Sequence, residues 1–481
     1  MKMKIKLPLI VLGFCCLTSV GLKAQEVELT DVEKLEQRTG TLESAVKSLQ
    51  KLKVSGYIQA QYQYGQAMAD GNNFKLANNK PNAYEGSAVI PGTDEYKGLD
   101  GFGRFGVRRG RIKFSYTEGI AEGVIQLDIT DKGISSDRNV VTFKDVYFSV
   151  KDPWVGTNSI KTGIFDRPFG HEIAYSSSRR ESPERARIIQ SLFPDERDLG
   201  TMLTLQASKN SPWNILKLEA GMFVGSGIKP QFDNHFDFIG HLSAKKTFGD
   251  MEISGGVSAY LGGVMQQDSN IYVMQDKKFF LDSDARSNIG KYAKRQYIGF
   301  DLQYSVMTAA GLTQLRGEYI FGEHPGNVSG AYDFKFNGLP AAAPTYMRKI
   351  SGGYVILTQD FGKLPFTAVV KYDWYNPNTG VSGDDIAMKK DANGNAIDTE
   401  NQTSTKDISM NNIGLGLIWR INNALRLTAY YDIVNNETTK NSATSYIKDD
   451  NGNDIKSKVT KYGYDINRPD NVFTLRLQYK F

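Results

Sequence analysis

Cysteine is almost absent from this chain of 481 residues, and both copies, Cys15 and Cys16, lie near the N-terminus. They fall in an apolar run that follows three lysines and reaches small residues, which predicts a secretory signal peptide over residues 1–24. A lipoprotein signal is the alternative, although the bulky Phe14 before Cys15 fits it poorly. The mature chain then has no cysteine, which excludes disulfide frameworks and thiolate metal sites.

The chain also has a small net charge and few histidines. The formal charge is +5, and residues 1–24 carry four lysines and no acid, so the mature chain carries 5 − 4 = +1. So balanced a chain predicts no nucleic-acid partner. The four histidines are scattered without a Ser/Asp constellation of recognisable spacing, so an outer-membrane hydrolase is a disfavoured alternative. We expect no enzymatic activity, no metal site and no cofactor.

Long apolar runs are missing after the signal, where no stretch approaches the roughly 18 residues of a spanning helix. Aromatic residues and glycine are plentiful instead, with 25 Tyr, 25 Phe and 47 Gly. A cysteine-free, Tyr- and Gly-rich chain behind a signal peptide is typical of a transmembrane β-barrel, whose strands are only half hydrophobic.

Alternation of apolar and polar residues supports this interpretation, as in the last ten residues, VFTLRLQYKF. Similar segments recur, joined by links that are alternately short and long, as in outer-membrane barrels. We therefore predict an all-β transmembrane fold, an antiparallel outer-membrane β-barrel of about sixteen strands over residues 54–481. The segments begin near residues 54, 103, 120, 140, 159, 201, 214, 237, 251, 296, 311, 350, 365, 410, 424 and 471.

The end of the chain bears on closure and assembly. The last strand must pair with the first, because an open edge in lipid leaves backbone groups unsatisfied. Its terminal Phe481, with apolar residues at alternate positions, resembles the signal read by the barrel assembly machinery. An edge strand of a soluble sheet is the alternative. An even strand count places both barrel ends in the periplasm of a Gram-negative cell, with outer-membrane lipid around the wall.

A short helix is predicted ahead of the barrel, over residues 26–52. Leu35, Leu42 and Leu49 recur every seven residues, with Val32 and Val46 three residues before the first and last. This is a heptad seam of about three repeats, too short to be stable alone. We expect a periplasmic coiled coil that forms within a homotrimer, with a lone amphipathic linker helix as the alternative.

Two basic stretches are candidates for the lining of a pore. In the strand near residue 103, Arg109, Arg111 and Lys113 fall on the face opposite the lipid-type residues, at a repeat of about 6.8 Å. Residues 164–200 form the third long loop, which loses alternation and carries apolar residues that need burial, so we expect it to fold inward. Facing acids such as Glu122, Asp128 and Asp145 could neutralise the strand, and the loop carries acids of its own, so a neutral lattice without charge preference is the alternative. The arginines expected to line the pore from this loop are Arg179, Arg180, Arg185, Arg187 and Arg197.

These stretches resemble the phosphate-selective porins O and P, especially their relatives in Bacteroidetes. The resemblance rests on RRGRIKF, GIFDRPFGHE, the Glu184–Arg185 pair, FPDERDLG and LRGEYI, in that order along nearly the whole mature chain. It implies a sixteen-stranded trimeric pore with an inward-folded loop and arginine-lined walls that conduct anions. A dense lysine cluster like that of the phosphate-specific members is not matched.

The function predicted from the sequence is therefore that of an outer-membrane porin. Its channel would be water-filled and would pass small, phosphate-like anionic solutes by passive diffusion. A non-selective general diffusion porin and a non-conducting surface or adhesion barrel are the alternatives.

Overall fold

The computed structural model describes two compact units, residues 1–50 and residues 51–481. The described residues are 38–39, 50–65, 102–130, 141–194, 196–228, 233–327, 330–331, 343–386, 403–404, 407–439, 446–448, 454–459 and 471–481. The predicted signal peptide lies outside them, as does most of the predicted helix over residues 26–52. Of that helix, residues 38, 39, 50 and 51 are described and helical, and Leu52 already begins the first strand.

Sixteen antiparallel strands close into a barrel, as the alternation predicts. Each strand pairs with its neighbours along the chain, and the last pairs with the first, with Tyr57 opposite Lys480 and Gly65 opposite Val472. The barrel strands are β1 (Leu52–Gly65), β2 (Phe102–Glu118), β3 (Ala121–Thr130), β4 (Val141–Lys151), β5 (Ser159–Asp166), β6 (Arg197–Gln206), β7 (Leu216–Phe223), β8 (Asp237–Phe248), β9 (Met251–Met265), β12 (Tyr292–Thr308), β13 (Gly311–Asn327), β15 (Thr345–Asp360), β16 (Phe366–Asn376), β17 (Met410–Arg420), β18 (Leu425–Asn436) and β21 (Val472–Lys480).

Smaller elements lie in the long connections. One α-helix, α1 (Arg187–Leu192), lies between β5 and β6. The other short elements are β10 (Ile271–Gln275), β11 (Lys278–Ser283), β14 (Gly330–Ala331), β19 (Tyr446–Lys448), β20 (Asp454–Val459) and the 3-10 helices Pro212–Ile215, Arg286–Asn288 and Gly383–Asp385. The hairpin of β10 and β11 extends the sheet, because β10 runs parallel to the start of β15.

Successive residues of a strand point to opposite faces, so the outward side chains are largely apolar and the inward ones include most of the polar residues together with buried apolar ones. In β21, Leu475, Leu477 and Tyr479 are exposed on the outer face, whereas Arg476 and Gln478 are buried. A closed wall without free edges and with an apolar outer surface is suited to lipid, so we take the barrel to be transmembrane. Within the described part of the chain, no helix is both long and apolar enough to cross a membrane.

Residues 167–194 and 196, which we call the inner loop, lie inside the barrel. Their apolar side chains, among them Phe169, Ile188 and Phe193, belong to one buried cluster with wall residues. The wall residues of that cluster come from barrel strands between β5 and β18, for example Phe223 and Tyr430. Since burial of a large apolar side chain contributes roughly 1.5–3 kcal/mol, this cluster holds the inner loop against the wall.

Candidate functional site

The inner loop is fastened to the far wall by aromatic packing. The ring of Phe193 lies 5.0 Å from that of Phe169, and 5.9 Å from the rings of both Tyr260 on β9 and Tyr297 on β12. Helix α1 adds Ile188 and Ile189, which are fully buried. These contacts give one stretch of the loop a fixed position in the lumen.

Polar contacts fasten the loop on two sides. The backbone N–H groups of His171 and Glu172 both donate to the carboxylate of Glu318 on β13, the first at 2.7 Å. On the opposite side, the hydroxyl of Ser177 lies 2.6 Å from that of Tyr57 on β1. The loop therefore crosses the lumen between β1 and β13, which narrows the path along the barrel axis.

Arg109 and Arg111 lie on the inner face of β2 and are buried, Arg109 at 4% and Arg111 at 9% exposure. Arg111 donates to Asp128 at 2.9 Å and to the hydroxyl of Ser177 at 3.0 Å. The charge of Arg111 is thus offset by an acid of the neighbouring strand. Lys113, on the same strand, is half-buried.

Most of the arginines predicted for the loop are buried as well, although Arg197 is the first residue of β6 and not part of the inner loop. Arg197 donates to Asp145 at 2.8 Å and lies 2.8 Å from a carboxylate oxygen of Asp166. Arg185 pairs with Glu196, which also accepts from Arg197 at 3.0 Å. The side chain of Arg187 is buried, and its backbone N–H donates to Asp373 on β16 at 3.2 Å. By contrast, the side chain of Arg179 is exposed.

One cluster has more cations than acids. The side chain of Glu184, in the inner loop, accepts from Arg108 and Arg109 at 2.9 Å each, and from Arg476 of β21 at 3.2 Å. Arg180 lies 3.9 Å away. We call Arg108, Arg109, Arg180 and Arg476 the arginine cage. Among these five side chains, four are guanidinium groups and one is a carboxylate.

The electrostatics of the loop acids follow from these neighbours. Burial alone would raise the pKa of Glu184, but Arg108, Arg109 and Arg476 hold it well below its usual range. Burial alone would also raise the pKa of Glu196. Its pKa is nevertheless held well below the usual range by three neighbouring cations, Arg185, Lys144 and Arg197. Both loop carboxylates are therefore ionised at neutral pH.

Sequence reasoning missed two members of the cage. Arg108 follows Val107 at a β-bulge, where β1 moves from Gln59 opposite Arg109 to Ala60 opposite Val107. The bulge lets Arg108 reach Glu184 although strict alternation would turn it outward. Arg476 lies on the polar face of the last strand, and that alternation was the available signal for its inward position.

Across the described residues, no group of three or more His, Cys, Asp or Glu side chains has a geometry that could hold a metal ion. The chemistry open to the lumen is that of guanidinium and carboxylate groups, which bind charged solutes through hydrogen bonds.

Comparisons with known proteins give distant structural likenesses only. No protein-family model and no curated protein matches the chain. The trimer form of OmpT of Vibrio cholerae is 11% identical, with a TM-score of 0.45 over 89% of this chain and 99% of that chain. The outer membrane channel DcaP of Acinetobacter baumannii is 10% identical, with a TM-score of 0.47 over 89% and 97%. OprB of Pseudomonas putida is 10% identical, with a TM-score of 0.46 over 92% and 97%.

Proposed function

We propose that the protein is an outer-membrane porin whose water-filled channel passes small anionic solutes, phosphate-like ions among them, by passive diffusion. The closed barrel, its apolar outer surface and its polar lumen support this function. Barrels of about sixteen strands leave room for an aqueous channel, whereas eight-stranded barrels are filled by side chains. In this proposal the barrel is inserted by the assembly machinery, sits in outer-membrane lipid as a homotrimer and catalyses no reaction.

The arginine cage is the observation that carries the anion preference. It lies where β1, β2, β21 and the inner loop meet, and it gathers four arginines around the single carboxylate of Glu184. A narrow lumen with low-dielectric walls concentrates the field of a few charges. The placement of a few arginines beside the lumen can therefore select anions, even though the net charge of the mature chain is only +1.

A non-selective general diffusion porin is the second candidate, and the other ion pairs favour it. Arg111 is paired with Asp128, and Arg197 with Asp145 and Asp166. Such ion pairs keep the loop in place but contribute little to the electrostatic potential of the lumen, because their charges cancel. The two candidates differ in whether the cage dominates the potential of the lumen.

Reversal potentials in planar bilayers distinguish these candidates. With purified protein in a tenfold KCl gradient at low salt, an anion-selective pore shifts the zero-current potential toward that of chloride. The preference should weaken as the salt rises, since the screening length falls from about 10 Å at 0.1 M to about 3 Å at 1 M. A potential near zero indicates the general porin, and the absence of any conductance indicates a non-conducting barrel.

A further inference from the structure

We propose that Glu184 is a built-in occupant of a carboxylate-binding site, and that small carboxylate solutes bind the arginine cage by taking its place. This inference rests on the proposed anion-conducting function and names a solute class for it. The cage then binds solutes directly, in addition to setting the electrostatic potential of the lumen.

The coordination of Glu184 is that of a bound ligand. Arg108 holds both of its oxygens side by side, with Nε donating to Oε1 at 2.9 Å and Nη2 donating to Oε2 at 3.2 Å. Arg476 adds a second bond to Oε1 at 3.2 Å, and Arg109 a second bond to Oε2 at 2.9 Å. Each oxygen therefore accepts two charge-assisted hydrogen bonds, an arrangement that suits a planar carboxylate.

The cage contains a donor that Glu184 does not use. Among the described residues, Nη1 of Arg180 is buried and has no hydrogen-bond partner. Lys371 of β16 also lies nearby, since its Nζ donates to the backbone carbonyl of Glu184 at 3.4 Å, but its charge is offset by Asp373 at 3.5 Å and Glu172 at 3.9 Å. Buried donors without acceptors are costly, so an incoming carboxylate would satisfy groups that Glu184 leaves unsatisfied.

Water and solutes can reach the site. The side chain of Glu184 is 19% exposed, whereas those of Arg109, Arg180 and Arg476 are exposed by 5% or less. These three cations are thus fixed in the wall and the loop, whereas Glu184 and Arg108, the latter 23% exposed, are the accessible members of the site. When a solute carboxylate displaces Glu184, the hydrogen bonds from the arginines to Glu184 are replaced by equivalent bonds to the solute. The net gain in free energy is therefore small, and binding would be weak enough for the solute to leave again.

The experiment uses succinate block of chloride current through the full-length protein in planar bilayers at about 0.1 M KCl, where screening is limited. E184Q removes the competing carboxylate and keeps the side-chain size. It should lower the half-blocking succinate concentration at least about tenfold, the change expected for about 1.4 kcal/mol. Succinamide, which is uncharged, should not block.

The matched control is E181Q, because Glu181 is also an inner-loop acid but pairs with Arg316 of β13, outside the cage. It adds the same charge to the lumen and should leave the half-blocking concentration within about threefold of wild type. Equal shifts in E184Q and E181Q would mean that only net charge matters, and would overturn the inference. Adding R476Q to E184Q should remove the gained affinity, and block that persists in the double variant would also overturn it.

Two further outcomes keep the test decisive. If E184Q does not assemble, R476Q alone should raise the half-blocking succinate concentration of the otherwise wild-type pore at least about threefold, and no change would overturn the inference. A wild-type pore that is cation-selective or does not conduct contradicts the proposed function itself. An anion-selective pore with equal succinate block in E184Q and wild type contradicts only the carboxylate site.

Discussion

Gly56 and Phe481 exchange two backbone hydrogen bonds across the seam of the barrel, at 2.9 and 3.0 Å. The phenyl ring of Phe481 covers Gly56 closely. A Cβ atom on Gly56 would lie 2.5 Å from that ring and 2.3 Å from the carbonyl oxygen of Arg111. The absence of a side chain at residue 56 therefore allows the first strand to lie against both of its neighbours.

We expect G56V to assemble poorly, with less than about half of the wild-type yield of folded barrel, because the backbone contact at Arg111 has no flexible side chain that could move aside. The measurement is the fraction of unboiled protein that runs as the compact form on a gel. The control is A60V, since Ala60 is exposed on the outer face of the same strand. A normal yield of G56V would mean that the seam tolerates a side chain there.

Truncation of Phe193 tests the anchoring of the inner loop. F193A removes a buried ring that packs on Tyr260 and Tyr297, at a cost of roughly 3–5 kcal/mol for a phenylalanine in a core. The barrel itself is closed by strand pairing, so we expect it to assemble, with a larger and noisier single-channel conductance. L203A is the control, because Leu203 is exposed on the outer face of β6. Unchanged conductance in F193A would show that the loop does not limit the current.

Arg197 tests whether the buried ion pairs hold the loop. R197Q leaves Asp145, Asp166 and Glu196 without this partner, and breaking a buried pair costs about 3–5 kcal/mol. We expect unboiled R197Q to unfold at a lower temperature than wild type, and D145N to restore part of the loss. R420Q, which breaks the exposed pair with Asp360, should cost at most about 1 kcal/mol. Similar losses in R197Q and R420Q would contradict the buried network.

The pKa of Glu184 sets the acid dependence of the cage. Because the folded-state pKa is depressed below the ordinary value of 4.5, its stabilising ion pairs are present above that value and are lost only as the pH falls through the lower folded pKa. We expect the difference in reversal potential between wild type and E184Q to stay constant from about pH 7 to about pH 5. It should vanish only well below 4.5. A difference that disappears by about pH 5 would mean that the arginines do not hold Glu184 ionised.

The barrel strands were predictable because lipid on one face and water on the other require apolar and polar residues to alternate along a strand. The sequence segments near residues 54, 103 and 120 correspond to strands that begin at Leu52, Phe102 and Ala121. The hairpin of β10 and β11 was not predicted and falls in what reads as one long loop. Its turn residues, Asp276 and Lys277, both have positive φ without a glycine, so the usual turn signal is missing.

The arginines could be placed on the inner face, but their partners could not be predicted. Arg476 and Glu184 are 292 residues apart and meet only because the inner loop crosses to the seam. Alternation along one strand contains no information on contacts between a loop and the opposite wall. It also cannot foresee the bulge that brings Arg108 beside Arg109 at Glu184. The gathering of four arginines around one carboxylate is therefore a result of the fold.

The central claim, that the arginine cage sets the ion preference, is tested most directly by the reversal potential of R109Q/R476Q at low salt. Removing two cage charges should move the potential toward that of the cation at about 0.1 M KCl, and much less at about 1 M. K209Q/K278Q removes the same net charge from two exposed positions outside the barrel strands, and should behave like wild type. If R109Q/R476Q keeps the wild-type potential at low salt, the cage does not select the ions that pass.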